Sequence, residues 1–169
     1  MASALASELC LASPVTRFDC RMCGSCCGHE VLFSRGDLRR IESSHPNNGS
    51  LSWLLSQWGG PGAAISSLCA KGSGKAECVF LAGNLCSVHN SKPLLCRTYP
   101  FFPVPSSIIE EKLGPISGAV KVRSSRTTET YFISYDEDCP GVGRGHVQDW
   151  ELVVRLWEQY EEEIELDQK

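Results

Sequence analysis

Apolar residues fall in short bursts along this chain, with one long exception near its C-terminal end. There Trp150, Val153, Val154, Trp157, Tyr160 and Ile164 recur every three or four residues, which predicts an amphipathic helix from about Val147 to Leu166. Such a stripe is usually packed core, so its tryptophans read as packing residues. Val31-Leu32-Phe33 predicts a short strand. Ser34-Arg35-Gly36-Asp37 reads as a capping-box start for a helix through about Ser44, broken by His45-Pro46-Asn47-Asn48-Gly49. Ser50 opens a second helix, Leu51 to Trp58, with Trp53, Leu54 and Leu55 as its apolar content and Gly59-Gly60-Pro61-Gly62 as its stop.

Residues 69–76 read as a Gly/Lys/Ser-rich loop. Cys78-Val79-Phe80-Leu81 and Leu85-Cys86-Ser87-Val88-His89 flank Ala82-Gly83-Asn84, which predicts a hairpin. Pro93, Pro100, Pro103 and Pro105 predict an irregular stretch. Strands are expected at 118–123 and 129–135, where Val, Thr, Tyr and Phe concentrate. The expected organisation is a loose leader over residues 1–17 and one α+β domain over 18–169, with short antiparallel strands and a C-terminal helix.

At 169 residues the chain is long enough to bury a core without covalent staples. No run approaches the ~20 apolar residues of a membrane span. The formal net charge is −4, which disfavours nucleic acid as the default partner, but it is unevenly spread. Residues 1–135 hold 13 Lys+Arg against 9 Asp+Glu, a net +4, and residues 136–169 hold 3 against 11, a net −8. The acidic end reads as the solvated face of the last helix.

The candidate chemistry lies in the cysteines, ten in all. Four stand within eight residues, Cys20-Arg21-Met22-Cys23-Gly24-Ser25-Cys26-Cys27, so two C-x-x-C steps end in a vicinal pair. Thiolates this close, on a backbone loosened by Gly24 and Gly28, suit a soft metal or an iron–sulfur cluster. The competing reading is a disulfide framework, which needs an oxidising compartment. The start of the chain has no basic region before an apolar stretch, so a cytoplasmic location, and with it metal binding, is the expectation. Disulfide-rich intracellular proteins of hyperthermophiles keep the alternative open. Lys71-Gly-Ser-Gly-Lys75 lacks the full phosphate-loop pattern, and Gly141-Val-Gly-Arg-Gly is too short for a dinucleotide fingerprint. No Ser/His/Asp or Cys/His catalytic set stands out by spacing. His29 and His89 are alternative ligands, with an exposed polar role the default for both.

The ordered set Phe18-x-Cys-x-x-Cys-x-x-Cys-Cys, Cys78-x-Phe-Leu-(x4)-Cys86-x-Val-His and Lys92-Pro-x-x-Cys-Arg-x-Tyr-Pro-Phe resembles the cysteine-cluster (CxxCxxCC) family. The match is strong over about residues 18–102, and Cys139-Pro-Gly-x-Gly is similar to the ending of some members. The resemblance implies zinc or iron chelation. It assigns Cys20, Cys23, Cys26, Cys27, Cys78, Cys86, Cys96 and Cys139 as ligands and leaves Cys10 and Cys69 outside the pattern. Eight thiolates fit two four-coordinate sites, and adjacent side chains tend to diverge, so Cys26 and Cys27 are expected to serve different centres. The implied cofactor is zinc or an iron–sulfur cluster, one or two of the 4Fe-4S type, with a slight lean to iron–sulfur. Some relatives are linked to flagellin lysine N-methylation. An iron–sulfur-dependent protein lysine N-methylase, or a subunit of one acting on a protein substrate, is therefore an alternative to a plain metal-binding protein, although no methyl-donor site is visible. A metal-stapled interaction module is the third reading.

Overall fold

The computed structural model describes residues 9–56, 65–66, 68–70 and 76–169, with side chains described outside 65–70 and 76. In chain order the elements are β1 (Arg17–Phe18), a 3-10 turn (Ser25–Gly28), β2 (Leu32–Phe33), α1 (Arg35–Ser44), α2 (Gly49–Ser56), β3 (Ile65–Ser66), β4 (Leu68–Ala70), β5 (Ala76–Cys78), β6 (Leu81–Ala82) and β7 (Leu85–Cys86). A second 3-10 turn (His89–Ser91) then leads to α3 (Leu94–Thr98), β8 (Phe101–Pro105), α4 (Ser106–Leu113), β9 (Lys121–Arg123), β10 (Thr130–Tyr135), β11 (His146–Val147) and α5 (Trp150–Asp167). This is an α+β chain with short antiparallel strands in small sheets and a C-terminal helix. It divides into two compact units, Met1–Arg21 with Thr98–Glu158 and Met22–Arg97 with Gln159–Lys169.

The first unit is built on the antiparallel sheet β8-β10-β9, in which Tyr135 pairs with Phe101 and Tyr131 with both Pro105 and Val122. Four successive residues of β10, Tyr131 to Ser134, are buried, as expected of a central strand covered on both faces. Phe101, Val122, Ile133, Val153 and Val154 form the core with Ala12. Phe18 and Trp150 meet the Phe101 ring edge-on, at 5.6 and 5.1 Å between centroids. The stretch punctuated by prolines is not irregular: it contains α3 and β8. Pro103 and Pro105 are tolerated because β8 is an edge strand, with one side free of ladder bonds.

The segment expected as a loose leader is packed from Cys10 onward. The Ala12 N–H donates to the Ile133 carbonyl, the Ala12 carbonyl accepts from Val120, and β1 pairs with β11. Residues 1–8 lie outside the described residues.

The second unit packs Phe33, Leu38, Ile41, Leu51, Leu54, Phe80 and Val88 into its own core. Burying Leu38 and Ile41 on one face of α1 contributes about 1.5–3 kcal/mol each. The capping box expected from the sequence is present. The Ser34 hydroxyl accepts from the Asp37 N–H at 2.9 Å, and the Asp37 carboxylate accepts from the Ser34 N–H at 3.3 Å. The Asn48 side chain accepts from the Leu51 N–H and starts α2. Leu51 and Leu54 face inward, whereas Trp53 and Leu55 are exposed. The predicted end of this helix, from Gln57 to Gly62, lies outside the described residues.

The expected hairpin forms around Gly83, with shorter strands, and a second strand pair precedes it. β4 pairs with β5, Leu68 opposite Cys78, so part of the predicted 69–76 loop is strand. β6 pairs with β7, Leu81 opposite Cys86, around Gly83 with φ +61°. Cys78 therefore ends one hairpin and Cys86 ends the next.

A candidate metal centre

The cysteine loop of the second unit turns on Gly24. Its φ of +75° is left-handed, and its carbonyl accepts from the Cys27 N–H at 2.9 Å. A Cβ there would stand 2.8 Å from the Asn84 carbonyl oxygen and 3.1 Å from Leu81 Cδ1, so only glycine lets the loop sit against the β6–β7 turn. Gly28 meets nothing within 4 Å of a built Cβ, and its backbone needs no such freedom. The 3-10 turn then carries Cys26 and Cys27 inward, Cys27 to 8% exposure.

Cys27 is the hub of a sulfur cluster. Its thiol lies in hydrogen-bonding range of Cys26, Cys78 and Cys86, which together with burial pushes it well up from the usual thiol range. Its neighbours go the other way. The contact with Cys27 brings Cys26 down to about 7 and Cys86 down to about 6, against opposing burial, and lowers Cys78. Burial first, then the charges of Cys78, Cys26 and Cys86, raise the Cys96 thiol on α3. The sulfurs of the vicinal pair thus lie within hydrogen-bonding range of each other, although adjacent side chains tend to diverge.

Backbone donors are aimed at three of these sulfurs. The N–H groups of Phe80 and Val88 bond the sulfurs of Cys78 and Cys86, each from two residues on. Cys23 repeats the pattern with Ser25, whose hydroxyl, 3.3 Å away, and backbone N–H both lower its thiol. A donor preset on sulfur favours the thiolate, the form that binds metal. Lys92, absent from the expected site, adds charge that lowers Cys26 and Cys86. The sequence signal for it was the basic residue before Pro93.

The first unit holds the other two family cysteines. Phe18 bridges Val142, and the Asp19 N–H donates to the Gly141 carbonyl at 3.1 Å. Cys20 follows Asp19 and Cys139 precedes Gly141 by two residues, so both lie at the same end of this antiparallel contact. Gly141 and Gly145 leave room there: a Cβ on either would stand 2.5 Å from Asp19 atoms. In the glycine-rich turn that follows Cys139, the Gly143 N–H donates to the Arg17 carbonyl at 2.9 Å. Cys10 bonds the Glu137 carboxylate at 3.3 Å, which raises its thiol and suits its place outside the pattern. The Cys69 side chain lies outside the described residues.

Asp37 is a structural group, fully buried, as its capping role implied. Besides the capping box, it accepts from the Leu94 N–H at 2.8 Å and from Arg40 at 2.7 Å, so it ties the starts of α1 and α3 together. Arg97 is exposed and donates from Nε to the Lys92 carbonyl. His29 is exposed, and burial together with Lys92 lowers the part-buried His89, which favours its neutral form.

A family model described as "CxxCxxCC: Putative zinc- or iron-chelating domain" matches residues 19–140. The chain belongs to the CxxCxxCC family. No curated protein and no solved structure matches it. The family description bears directly on the sulfur cluster, because several soft thiol donors near one another are the donor type that zinc and iron take. The nine described cysteines stand as thiols. Among the described residues no three His, Cys, Asp or Glu side chains are set as a ready-made metal site. The S–H···S contacts around Cys27 are the bonds that deprotonation and coordination would replace. Among the same residues no helix is long and apolar enough to cross a membrane.

Proposed function

We propose that this CxxCxxCC protein binds metal through Cys26, Cys27, Cys78 and Cys86, with Cys23 and Cys96 beside them. The convergence of three other thiols on Cys27 carries this reading. Deprotonation of all four would gather four thiolates in a part-buried pocket. That arrangement is costly without a cation, and binding one would release their protons. Bound there, the ion would cross-link the cysteine loop to the two hairpins and supply charge compensation. The N–H groups of Phe80 and Val88 and the charge of Lys92 offset the rest.

Close thiol packing favours a single ion. A metal–sulfur bond of about 2.3 Å in a tetrahedron sets the sulfurs about 3.8 Å apart, the spacing of a thiol–thiol contact. An iron–sulfur cage would hold its thiolates further apart. Its case rests on Cys23 and Cys96, which raise the thiols in this unit beyond four. We place Cys20 and Cys139 as a separate pair, two donors short of a tetrahedral site. The reading goes with a reducing, cytoplasmic location.

Metal analysis and an absorption spectrum of anaerobically purified protein test the proposal. One zinc or iron per chain without inorganic sulfide is expected. Brown protein containing sulfide would instead indicate a cluster. Metal-free protein with four intact disulfides would overturn metal binding.

A further inference from the structure

On the second unit, α1, the His89–Ser91 turn and α3 border an open groove of about 510 Å³. Arg39, Arg40 and Arg97 line it, with Asn90, Ser43 and Ser44. The three arginines differ in state. Arg40 is clamped: Glu163 accepts from both of its terminal nitrogens at 2.8 Å and Asp37 from one at 2.7 Å. Its Nε is a buried donor without a hydrogen-bond partner. Arg39 and Arg97 are exposed, and no ion pair engages either among the described residues. Glu163, also on the wall, shares Arg40 with Asp37, so the positive charge of the groove comes from Arg39 and Arg97. Ser43 and Ser44 donate to the Arg39 and Arg40 carbonyls and Arg97 Nε to the Lys92 carbonyl, so the donors left for a ligand are the Arg39 guanidinium, the terminal nitrogens of Arg97 and the Asn90 amide.

We propose that this groove binds a phosphate group through Arg39 and Arg97. Guanidinium donors on separate segments suit a tetrahedral oxyanion, whose terminal oxygens each accept from a different side. A carboxylate would occupy one fork and leave the other cation unmatched. The groove is open to solvent, so an organic group carried by the phosphate can project out of it. The groove uses none of the proposed metal ligands, so the two sites stand or fall separately.

Titration of the full metal-loaded chain by NMR of arginine Nε–H groups tests this, with inorganic phosphate in one arm, phosphoserine in the second and acetate at equal ionic strength as the control. Saturable shifts of Arg39 and Arg97 with both phosphate probes are expected, and tighter binding of phosphoserine would identify an organic monoester as the source. Arg39→Gln and Arg97→Gln should each weaken phosphate binding about tenfold, the loss of one charge-assisted hydrogen bond. Both positions are exposed, so the variants should fold, and unchanged metal content checks that they do. Arg97→Lys keeps the charge and should lose less than Arg97→Gln. Shifts matched by acetate, or undiminished phosphate binding in the double Gln variant, would overturn the proposal.

Discussion

Cys27 has three other thiols in hydrogen-bonding range, and serine in its place is close in size but offers a hard oxygen to a soft metal. Cys27→Ser is therefore expected to lose most bound metal, read as metal per chain after gel filtration. Cys10→Ser should retain it, since that thiol bonds a carboxylate and lies outside the cluster. Equal losses would show that the ligand set is drawn wrongly. Gly24 sets the second test at this scale. Gly24→Ala must hold a Cβ at left-handed φ, costing about 1–2 kcal/mol, and push it against a backbone carbonyl that has no rotamer to yield. A total of about 2–4 kcal/mol in chemical denaturation is expected, whereas Gly28→Ala should change little. The sequence alone marked both glycines equally; the left-handed φ of Gly24 and the approach of the Asn84 carbonyl separate them. Cysteine positions were legible because the motif is local. That Cys26 and Cys27 meet was not, because their convergence depends on a 3-10 turn and on two hairpins about fifty residues away.

Elements were legible where their signals sit within a few residues. Ser34 and Asp37 are three apart, so the start of α1 could be read directly, and the stripe of α5 declared itself by period. β8 was hidden by its prolines, which exclude only the interior of a sheet, and β4–β5 by a polar loop whose flanks pair. The second task of Asp37, accepting from Leu94 across 57 residues, leaves no local trace. The network it shares with Arg40 and Glu163 joins α1 to the C-terminal end of α5 and gives a pH dependence. Burial alone would raise the Glu163 carboxyl, but hydrogen bonds from Arg40, Ser34 and Gln159 outweigh it and hold the group down at about 2. A carboxyl lowered on folding stabilises above its ordinary value of 4.5, and that contribution is lost as pH falls from there toward 2. With discounting for partial exposure it is on the order of 1–2 kcal/mol. Glu163→Gln should flatten the loss of stability between these pH values relative to the parent chain, measured by urea unfolding. Parallel curves for the two proteins would sink the assignment.

At the scale of the whole molecule, stability rests on two different foundations. The first unit has a three-stranded sheet with a covered central strand and an aromatic cluster on Phe101. The second has two-stranded ribbons and short helices, and such ribbons are marginal alone. Its buried set includes Cys27 and Cys78, side chains whose packing a metal would convert into cross-links between the cysteine loop and both hairpins. Structural zinc contributes about 10–16 kcal/mol in small domains, as much as the whole stability of an ordinary one. Chelation under reducing conditions should therefore unfold the second unit selectively. Amide hydrogen exchange reads this residue by residue. The N–H groups of Cys27, Ser87 and Ser91, all bonded to carbonyls within the second unit, should lose protection. Those of Ala12 and Tyr135, bonded across the sheet region of the first, should keep most of theirs. Loss of protection in both units together would show one cooperative structure. Protection retained at Cys27 and Ser87 after complete metal removal would show that the hairpins hold their shape on apolar packing, and the cluster would then be a binding site without a structural role.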